Sequence, residues 1–425
     1  MPQGYFDEKE TMSPQDRIGY QTRKVKDMVI RGYERSARVK AIFNEEGFWP
    51  TTVNNLADLE MLPVITREKL IELQLAEPPY GGFEDPAATV DRVFISPGPV
   101  YEPHLSERDP LWARAYHAAG IDSGDVALNA FSYHMVAAGL TFHNGLRKIG
   151  ATVVPSGTSG SEAQVRLIRD LKVTAYTGTP SFLLAIIRKA TELGYDFKRD
   201  FRLKKACFAA EPLLPPVRES FEKDYGIDTY QMYGATEVGD VAYECREKKG
   251  WHICEEVLVE IVDPATGRSV PPGQLGEIVV TRFNDIFFLL RFGTGDLSRI
   301  IEAPCACGRT SFRLDGIAGR VGDAVKVRGL FIAPSQLRVL GMKYPRNRMQ
   351  AVVSRTGYED VLTVRVEGTE KPGAGFAEAF HDTFREICTV RIDHLEFVAP
   401  GTLGADEPLL KDIRMWPDKC PLKTD

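Results

Sequence analysis

The chain has 425 residues, of which 53 are basic and 59 acidic, and no cluster of lysines and arginines is dense enough to follow a nucleic-acid backbone. With 43% hydrophobic and 26% charged residues, it has the composition of a folded protein, and its length predicts a large domain and a smaller one. The apolar runs 182–187 and 286–292 are far shorter than the roughly 18 residues that span a bilayer, and residues 1–10 lack a signal-peptide core. We therefore expect a cytoplasmic protein without a nucleic-acid or membrane partner.

The seven cysteines are unevenly spaced and follow no signal peptide. This pattern is unlike that of a secreted domain held together by disulfides. We expect any clustered cysteines to be metal ligands.

The first half of the chain changes pattern near residue 125. Before it, the first 50 residues carry apolar side chains at three- and four-residue spacing, which predicts helices on the outside of the main domain. After it, short apolar runs alternate with helical segments. The predicted strands cover 126–131, 151–155 and 173–178, and the predicted helices cover 135–149, 161–171 and 181–193. This alternation is typical of parallel strands joined by crossover helices.

The second half is predicted to contain more strands. Residues 258–283 read as strands broken by a Gly/Pro turn, which indicates a small β-rich subdomain. After Gly319 the pattern restarts with a strand, a helix from Pro334 and further strand–helix alternation. We predict an α/β fold with a large N-terminal domain over 1–321, built on parallel sheets and the β-rich subdomain. A small, mobile α+β C-terminal domain would cover 322–425.

Four short segments are informative because of the order in which they occur along the chain. They are residues 210–212, 233–237, 291–297 and 319–329. Taken singly, each is more often an ordinary turn than a nucleotide site. Together, at these separations, they resemble the adenylate-forming enzymes, specifically the phenylacetate-CoA ligase branch. Further matches at 56–70 and 400–408 extend the resemblance through almost the whole chain.

The resemblance implies an adenosine site and a catalytic pair. The implied nucleotide-binding residues are Ala210, Glu211, Pro212, Tyr233, Gly234, Thr236, Asp296 and Arg320. A carboxylate such as Asp296 can accept hydrogen bonds from both ribose hydroxyls. The implied catalytic residues are Glu237 and Lys411, and Glu237 would help to bind magnesium, which takes hard oxygen ligands.

The expected phosphate loop departs from the family pattern. Relatives carry a Ser/Thr/Gly-rich loop that ends in Gly-Lys-Pro, whereas Pro97 and Pro99 here remove two backbone donors. Val100 removes a hydroxyl, Tyr101 replaces a glycine and Glu102 reverses the charge of the lysine. A carboxylate about 4 Å from a phosphate is unfavourable by several kcal/mol at an intermediate dielectric unless a metal intervenes. We therefore expect this loop to repel a triphosphate.

Other segments contain candidate replacements for the phosphate loop and for the family's essential lysine. Residues 156–161 look like a phosphate loop, but we interpret them as a strand-to-helix connection in which Ser159 or Ser161 caps the helix. Leu409 stands where the family has its essential lysine. Lys411, two residues later, is a candidate replacement or simply a surface lysine. Two further candidate cations are Lys326 and Arg328.

Three thiols and an imidazole suggest a metal centre. Cys245, His252, Cys305 and Cys307 make a tetrahedral zinc set, and some relatives carry a Cys3His zinc at this place. Four protein ligands would leave no open position, so the site would be structural and a zinc-dependent hydrolase is disfavoured. Cys254 is an alternative ligand because it lies on the predicted strand face of His252.

The resemblance implies an acyl- or aryl-CoA ligase that activates an apolar or aromatic carboxylate through an acyl adenylate. Phe131 and Tyr133 follow a strand where the family's acid pocket begins, and we predict that they bind the acid. The expected ligands are ATP or AMP, coenzyme A, magnesium and zinc, and relatives are often homodimers. The alternative is a non-adenylating descendant that binds AMP, an acyl adenylate or coenzyme A without using ATP.

Overall fold

The computed structural model describes residues 4–96, 100–104, 111–322, 325–327, 330–345, 347–356, 359–368, 375–388, 390–404 and 407–414. Two helices confirm the prediction for the N-terminal region: α1 (Pro14–Arg35) and α2 (Ala37–Glu45). Ser13 caps α1, with its side chain accepting from the backbone N–H of Asp16. The apolar side of α1 is buried in the main core, so these helices pack on the large domain.

The segment that follows the N-terminal helices leads into the large sheet. Its elements are β1 (Ile65–Thr66), α3 (Arg67–Ala76), β2 (Arg92–Ser96), β3 (Val100–His104) and α4 (Ala113–Ala118). Short 3-10 turns cover Glu8–Thr11, Pro50–Thr52 and Leu56–Met61. Strands β2 and β3 pair antiparallel, so the described residues on either side of 97–99 in the expected phosphate loop form two paired strands.

The predicted alternation of strands and helices is confirmed between residues 126 and 193, and further elements follow it to residue 253. The elements are β4 (Val126–Asn129), α5 (Ala137–Lys148), β5 (Thr152–Val154), α6 (Ser161–Asp170), β6 (Ala175–Gly178), α7 (Pro180–Glu192), α8 (Phe197–Asp200), β7 (Lys205–Phe208), α9 (Pro215–Glu219), a π-helical turn (Ser220–Asp224), β8 (Asp228–Ala235), β9 (Gly239–Glu244) and β10 (Trp251–Ile253). Strands β5, β4, β6, β7 and β8 run parallel in that order, and β9 and β10 continue the sheet antiparallel.

The predicted β-rich subdomain is also present. Its elements are β11 (Val257–Val262), β12 (Gly276–Arg282), β13 (Phe292–Ser298), β14 (Ile300–Ile301), β15 (Arg313–Leu314) and β16 (Gly319–Arg320). Strands β11, β12 and β13 pair antiparallel, and β1 and β16 flank β13. Strands β14 and β15 instead extend the large sheet beyond β10.

The C-terminal part of the chain has a hydrophobic core of its own. It contains β17 (Val325–Val327), β18 (Leu330–Ile332), α10 (Pro334–Lys343), β19 (Arg348–Thr356), β20 (Glu359–Glu367), α11 (Phe376–Cys388), β21 (His394–Val398) and β22 (Leu410–Asp412). Gly322, where we predict the domain boundary, is exposed and has φ +101°, which favours glycine. The boundary itself, and the mobility of the C-terminal part, stay predictions.

The capping prediction for α6 is wrong in its detail. The N-cap is Gly160 and it makes no side-chain cap, while the Ser159 hydroxyl donates to Ser156 O at 2.7 Å. The amide of Gln164 holds this turn instead, donating to Gly157 O at 3.0 Å and to Ser159 O at 3.3 Å. Among the described helices, none is both long and apolar enough to cross a bilayer.

Candidate functional site

Three strands bring together three of the residues that we predict for the nucleotide. Asp296 on β13 and Arg320 on β16 are direct register partners, and Arg320 Nε lies 3.3 Å from Asp296 Oδ1. The Tyr233 hydroxyl, on β8, donates to Asp296 Oδ2 at 3.0 Å. Burial raises the pKa of Asp296, and the Tyr233 hydrogen bond and the Arg320 charge offset part of this effect. The carboxylate is thus oriented before any ligand binds.

A second carboxylate, which the sequence analysis missed, supports this turn. Glu277 on β12 accepts from the backbone N–H of Gly295 at 3.0 Å, and Gly295 has φ +73°. Burial raises the pKa of Glu277. The Thr294 hydroxyl donates to Ile278 O at 3.0 Å and accepts from the N–H of Asp296 at 3.1 Å. These contacts set the position of the Asp296 side chain.

The other predicted nucleotide residues lie around the end of β8. A Cβ on Gly234 would lie 2.2 Å from Gly239 O and 2.8 Å from the Trp112 ring, so only glycine fits. Ala210 has φ +68° and lines a cavity beside Gly234 and Thr236. Glu211, next to Pro212, is exposed and accepts from the Ser181 hydroxyl at 2.8 Å at the start of α7.

An apolar cavity of about 200 Å³ adjoins these residues. Three rings form one stack along its wall: Phe142 lies 4.4 Å from Phe131 and 4.4 Å from Trp112, centroid to centroid. The cavity is smaller than the ~300–1,000 Å³ of pockets for drug-sized ligands. Its remaining apolar lining includes Phe94, Leu111 and Phe287.

The two predicted acid-binding residues have different surroundings. Phe131 lines the cavity, whereas Tyr133 is not among its lining residues. The Tyr133 hydroxyl accepts from the Asn129 amide at 2.8 Å and lies 3.1 Å from His143 Nδ1. Burial raises the pKa of Tyr133 to about 12.

An arginine that was not predicted as a site residue contacts Glu237. Arg67, the first residue of α3, forms an ion pair with Glu237, the predicted magnesium ligand. Its guanidinium also donates to Ser96 Oγ at 3.1 Å. The Thr236 hydroxyl donates to Glu237 Oε2 at 3.2 Å. The only sequence signal for Arg67 was its place in the matched segment 56–70.

The substituted phosphate loop is described only in part. Residues 97–99, including Pro97 and Pro99, lie outside the described residues. Tyr101 exchanges two hydrogen bonds of 2.9 Å with the Gln74 side chain, which ties β3 to α3. Glu102 is only 6% exposed, and it lines the apolar cavity described above. The Glu102 carboxylate is therefore buried, whereas a surface loop would expose it to solvent.

Lys411, a candidate cation of the C-terminal part, is not among the residues that line the cavity. Lys411 is exposed on β22, an edge strand of the C-terminal sheet, and its catalytic role stays a prediction. Leu409 is half-buried against the C-terminal core, which suits leucine and not lysine. The side chain of Lys326 and all of Arg328 lie outside the described residues.

The four predicted metal ligands form one cluster. The ligand atoms of Cys245, His252, Cys305 and Cys307 all lie within 4.8 Å of one another. Cys245 Sγ and Cys305 Sγ are 3.7 Å apart, and Cys307 Sγ is 3.4 Å from His252 Nε2. Zn–S bonds of about 2.3 Å in a tetrahedron place two sulfurs roughly 3.8 Å apart, so this donor set fits zinc.

The surroundings of the cluster orient its ligands. His252 Nδ1 lies 3.3 Å from both Ser311 O and Ser311 Oγ, which leaves Nε2 facing the thiols. A hydrogen bond from Cys245 and the contact with His252 lower the pKa of Cys307. Cys254, the alternative ligand, is not part of the cluster; its sulfur lies 3.8 Å from Asp240 Oδ2.

Comparison with known proteins decides the family. The chain is 31% identical to the phenylacetate-coenzyme A ligase of Thermus thermophilus over 381 residues, which is 86% of this chain and 84% of that protein. It is also 31% identical to the enzyme of the same name from Escherichia coli, over 85% of each chain. The chain belongs to the phenylacetate-CoA ligase family.

Two further comparisons agree with this membership. The AMP-binding enzyme family matches residues 105–284. Among solved structures, 2-hydroxyisobutyryl-CoA ligase in an open conformation with 2-HIB-AMP and CoA superposes with a TM-score of 0.79 at 26% identity, covering 93% of this chain and 91% of that one. The predicted fold class and family are confirmed, and so is the predicted class of enzyme, an AMP-forming acid–thiol ligase.

Proposed function

We propose that this phenylacetate-CoA ligase relative activates a small apolar or aromatic carboxylate as an acyl adenylate and transfers the acyl group to coenzyme A. One observation carries the proposal. Tyr233, Asp296 and Arg320 converge from three strands, while Thr236 and Glu237 of the same site line the aromatic cavity. A nucleotide held by the first group would present its α-phosphate at the mouth of the cavity.

The chemistry follows from this placement. A carboxylate oxygen of the acid attacks the α-phosphorus of ATP and pyrophosphate leaves; the thiol of coenzyme A then attacks the acyl carbonyl carbon and AMP leaves. Asp296 and Arg320 bind the ribose and Thr236 contacts the α-phosphate. Glu237 would hold magnesium, which would supply positive charge for the phosphates. Lys411 remains the proposed substitute for the missing lysine.

Other features belong to the same proposal. Cys245, His252, Cys305 and Cys307 bind a structural zinc ion, because four protein ligands complete its tetrahedron. A homodimer and a cytoplasmic location stay predictions from the resemblance and the sequence. Light scattering of the purified protein tests the first of these.

Pyrophosphate release tests the central proposal. The full chain is titrated calorimetrically with Mg-ATP, AMP and coenzyme A in turn, and then incubated with Mg-ATP and a panel of aryl and short branched acids. We expect acid-dependent pyrophosphate release, and an acyl-CoA product by mass spectrometry once coenzyme A is added. Binding of AMP or coenzyme A, with no release of pyrophosphate from ATP in the presence of any acid of the panel, would favour the non-adenylating alternative.

The aromatic stack predicts a preference for aryl acids. Phe131→Ala removes a ring that lines the cavity, and an aromatic pair contributes about 1.5 kcal/mol at most beyond its buried area. We expect the KM for an aryl acid to rise about tenfold, with a smaller change for a short aliphatic acid. Phe312→Ala is the control, because Phe312 is 48% exposed and lies away from the cavity. Equal changes for both acids would contradict an aryl subsite at Phe131.

A further inference from the structure

Glu102 is a buried carboxyl group without a hydrogen-bond partner. Its side chain is 6% exposed, and neither carboxylate oxygen makes a hydrogen bond within the part of the chain that the structure describes. Burial raises the pKa of this group. Burying a carboxyl group without hydrogen bonds costs free energy. Glu102 is also one of the residues that line the apolar cavity. Glu102 is therefore placed to bind a ligand in the cavity.

The polar neighbours of Glu102 are two hydroxyl groups, one arginine and one histidine. The hydroxyls of Ser96 and Thr236 and the charges of Arg67 and His104 act to lower the pKa of Glu102, which offsets part of the effect of burial. The same Thr236 hydroxyl donates to Glu237 at 3.2 Å. Thr236 thus connects the two carboxylates, Glu102 and Glu237, which line the same cavity. Carboxylates and hydroxyls are hard oxygen donors of the kind that magnesium and manganese accept.

Arg67 supplies the positive charge of this cluster in the described structure. It forms the ion pair with Glu237 and donates to Ser96 Oγ at 3.1 Å. One guanidinium balances one of the two carboxylates, so the ionised cluster keeps a net negative charge. A divalent cation would balance both carboxylates and leave Arg67 beside Ser96, where its charge faces an incoming phosphate.

We propose that Glu102 and Glu237, with the hydroxyls of Ser96 and Thr236, bind a divalent cation of the magnesium type. This ion takes the place of the lysine that the family has at position 102 and bridges the protein to the phosphates of ATP. The inference rests on the proposed ligase function. It explains how a loop with a reversed charge can accept a triphosphate, since a metal converts the repulsion between carboxylate and phosphate into a bridge. Because two carboxylates hold the ion, it binds before the nucleotide does.

Manganese binding to the nucleotide-free protein tests the site. The full chain is loaded with zinc and titrated with Mn²⁺ alone, and free Mn²⁺ is followed by electron paramagnetic resonance. We expect saturable binding, weakened at least tenfold in Glu102→Gln, which keeps the size of the side chain. Glu72→Gln is the matched control, because Glu72 is an exposed partner of Lys69 on α3 and should leave binding unchanged. Thermal melting of each variant checks that it folds.

A second variant gives a change in the opposite direction. Arg67→Gln removes the cation that competes for Glu237, so we expect Mn²⁺ to bind several-fold more tightly to this variant than to the unmodified protein. Unchanged Mn²⁺ affinity in folded Glu102→Gln, or weaker binding in Arg67→Gln, would overturn the proposal.

The metal site and the ligase function can fail separately. Pyrophosphate release that is indifferent to Glu102→Gln would refute the metal site and leave the ligase intact. Saturable, Glu102-dependent Mn²⁺ binding, with no release of pyrophosphate from ATP in the presence of any acid of the panel, would support the metal site and refute the proposed ligase function.

Discussion

Cys307→Ser is expected to remove the bound metal and to lower the free energy of unfolding by about 3 kcal/mol or more, because the metal cluster supports a buried ion pair. The Cys307 sulfur accepts from the backbone N–H of Arg309 at 3.4 Å, and the Arg309 guanidinium lies 2.8 Å from Glu10 Oε1. Glu10 is fully buried and also accepts from the Tyr243 hydroxyl at 2.7 Å. If the knuckle at 305–309 loosens, the Glu10 carboxylate loses its compensating charge.

Elemental analysis and calorimetric unfolding measure the two parts of this prediction. We expect one zinc per chain in the unmodified protein, and a strong chelator should lower its midpoint of unfolding in the same way as the substitution. Cys254→Ser is the matched control: its thiol is equally buried but lies beside Asp240, so zinc should be retained. Zinc lost from Cys254→Ser and kept in Cys307→Ser would show that the ligand set is wrong.

Asp296→Ala is expected to weaken AMP binding on the order of 100-fold. Hydrogen bonds to a charged group contribute about 1.5–3 kcal/mol each, and a ribose would bring two hydroxyls to this carboxylate. The substitution also removes the partner of Tyr233 and Arg320, so part of the loss comes from their disorientation. Calorimetric titration with AMP gives the affinity.

A surface carboxylate provides the comparison for this variant. Asp285→Ala removes an exposed side chain that pairs with Arg31, and AMP binding should not change. Asp296→Asn keeps the shape of the side chain and removes its charge, and we expect an affinity between those of the unmodified protein and the alanine variant. Unaltered AMP affinity in Asp296→Ala would place the nucleotide elsewhere.

Parts of the site were predictable because they depend on short segments. Residues 233–237 and 291–297 each follow the pattern of one strand and its turn, so Tyr233 and Asp296 could be chosen from sequence alone. The cluster of three cysteines and His252 was predictable for a similar reason, since two thiols one residue apart already indicate a metal knuckle. The order of strands and helices between 126 and 193 followed from their periodicity.

Other parts of the site were not predictable, because distant segments form them. Trp112 and Phe142 carry no motif, yet they complete the stack on Phe131: Phe142 lies in α5, Trp112 directly precedes α4 and Phe131 follows β4. Arg67 reaches Glu237 over a separation of 170 positions, and nothing in its local sequence indicates that partner. Tyr133, which follows the same strand as Phe131, turns to Asn129 and His143 instead of the cavity.

The sequence by itself determined the fold class and the family, and it indicated the residues that we propose for binding the ribose and a metal, because periodicity and short motifs are local properties of the chain. Only the tertiary structure decided what the substituted phosphate loop becomes. Pairing of β2 with β3 and packing against α3 bury Glu102 beside Thr236 and bring Arg67 to Glu237. The charge of residue 102 can be read from the sequence, but its burial and its neighbours depend on contacts between segments that are far apart in the chain.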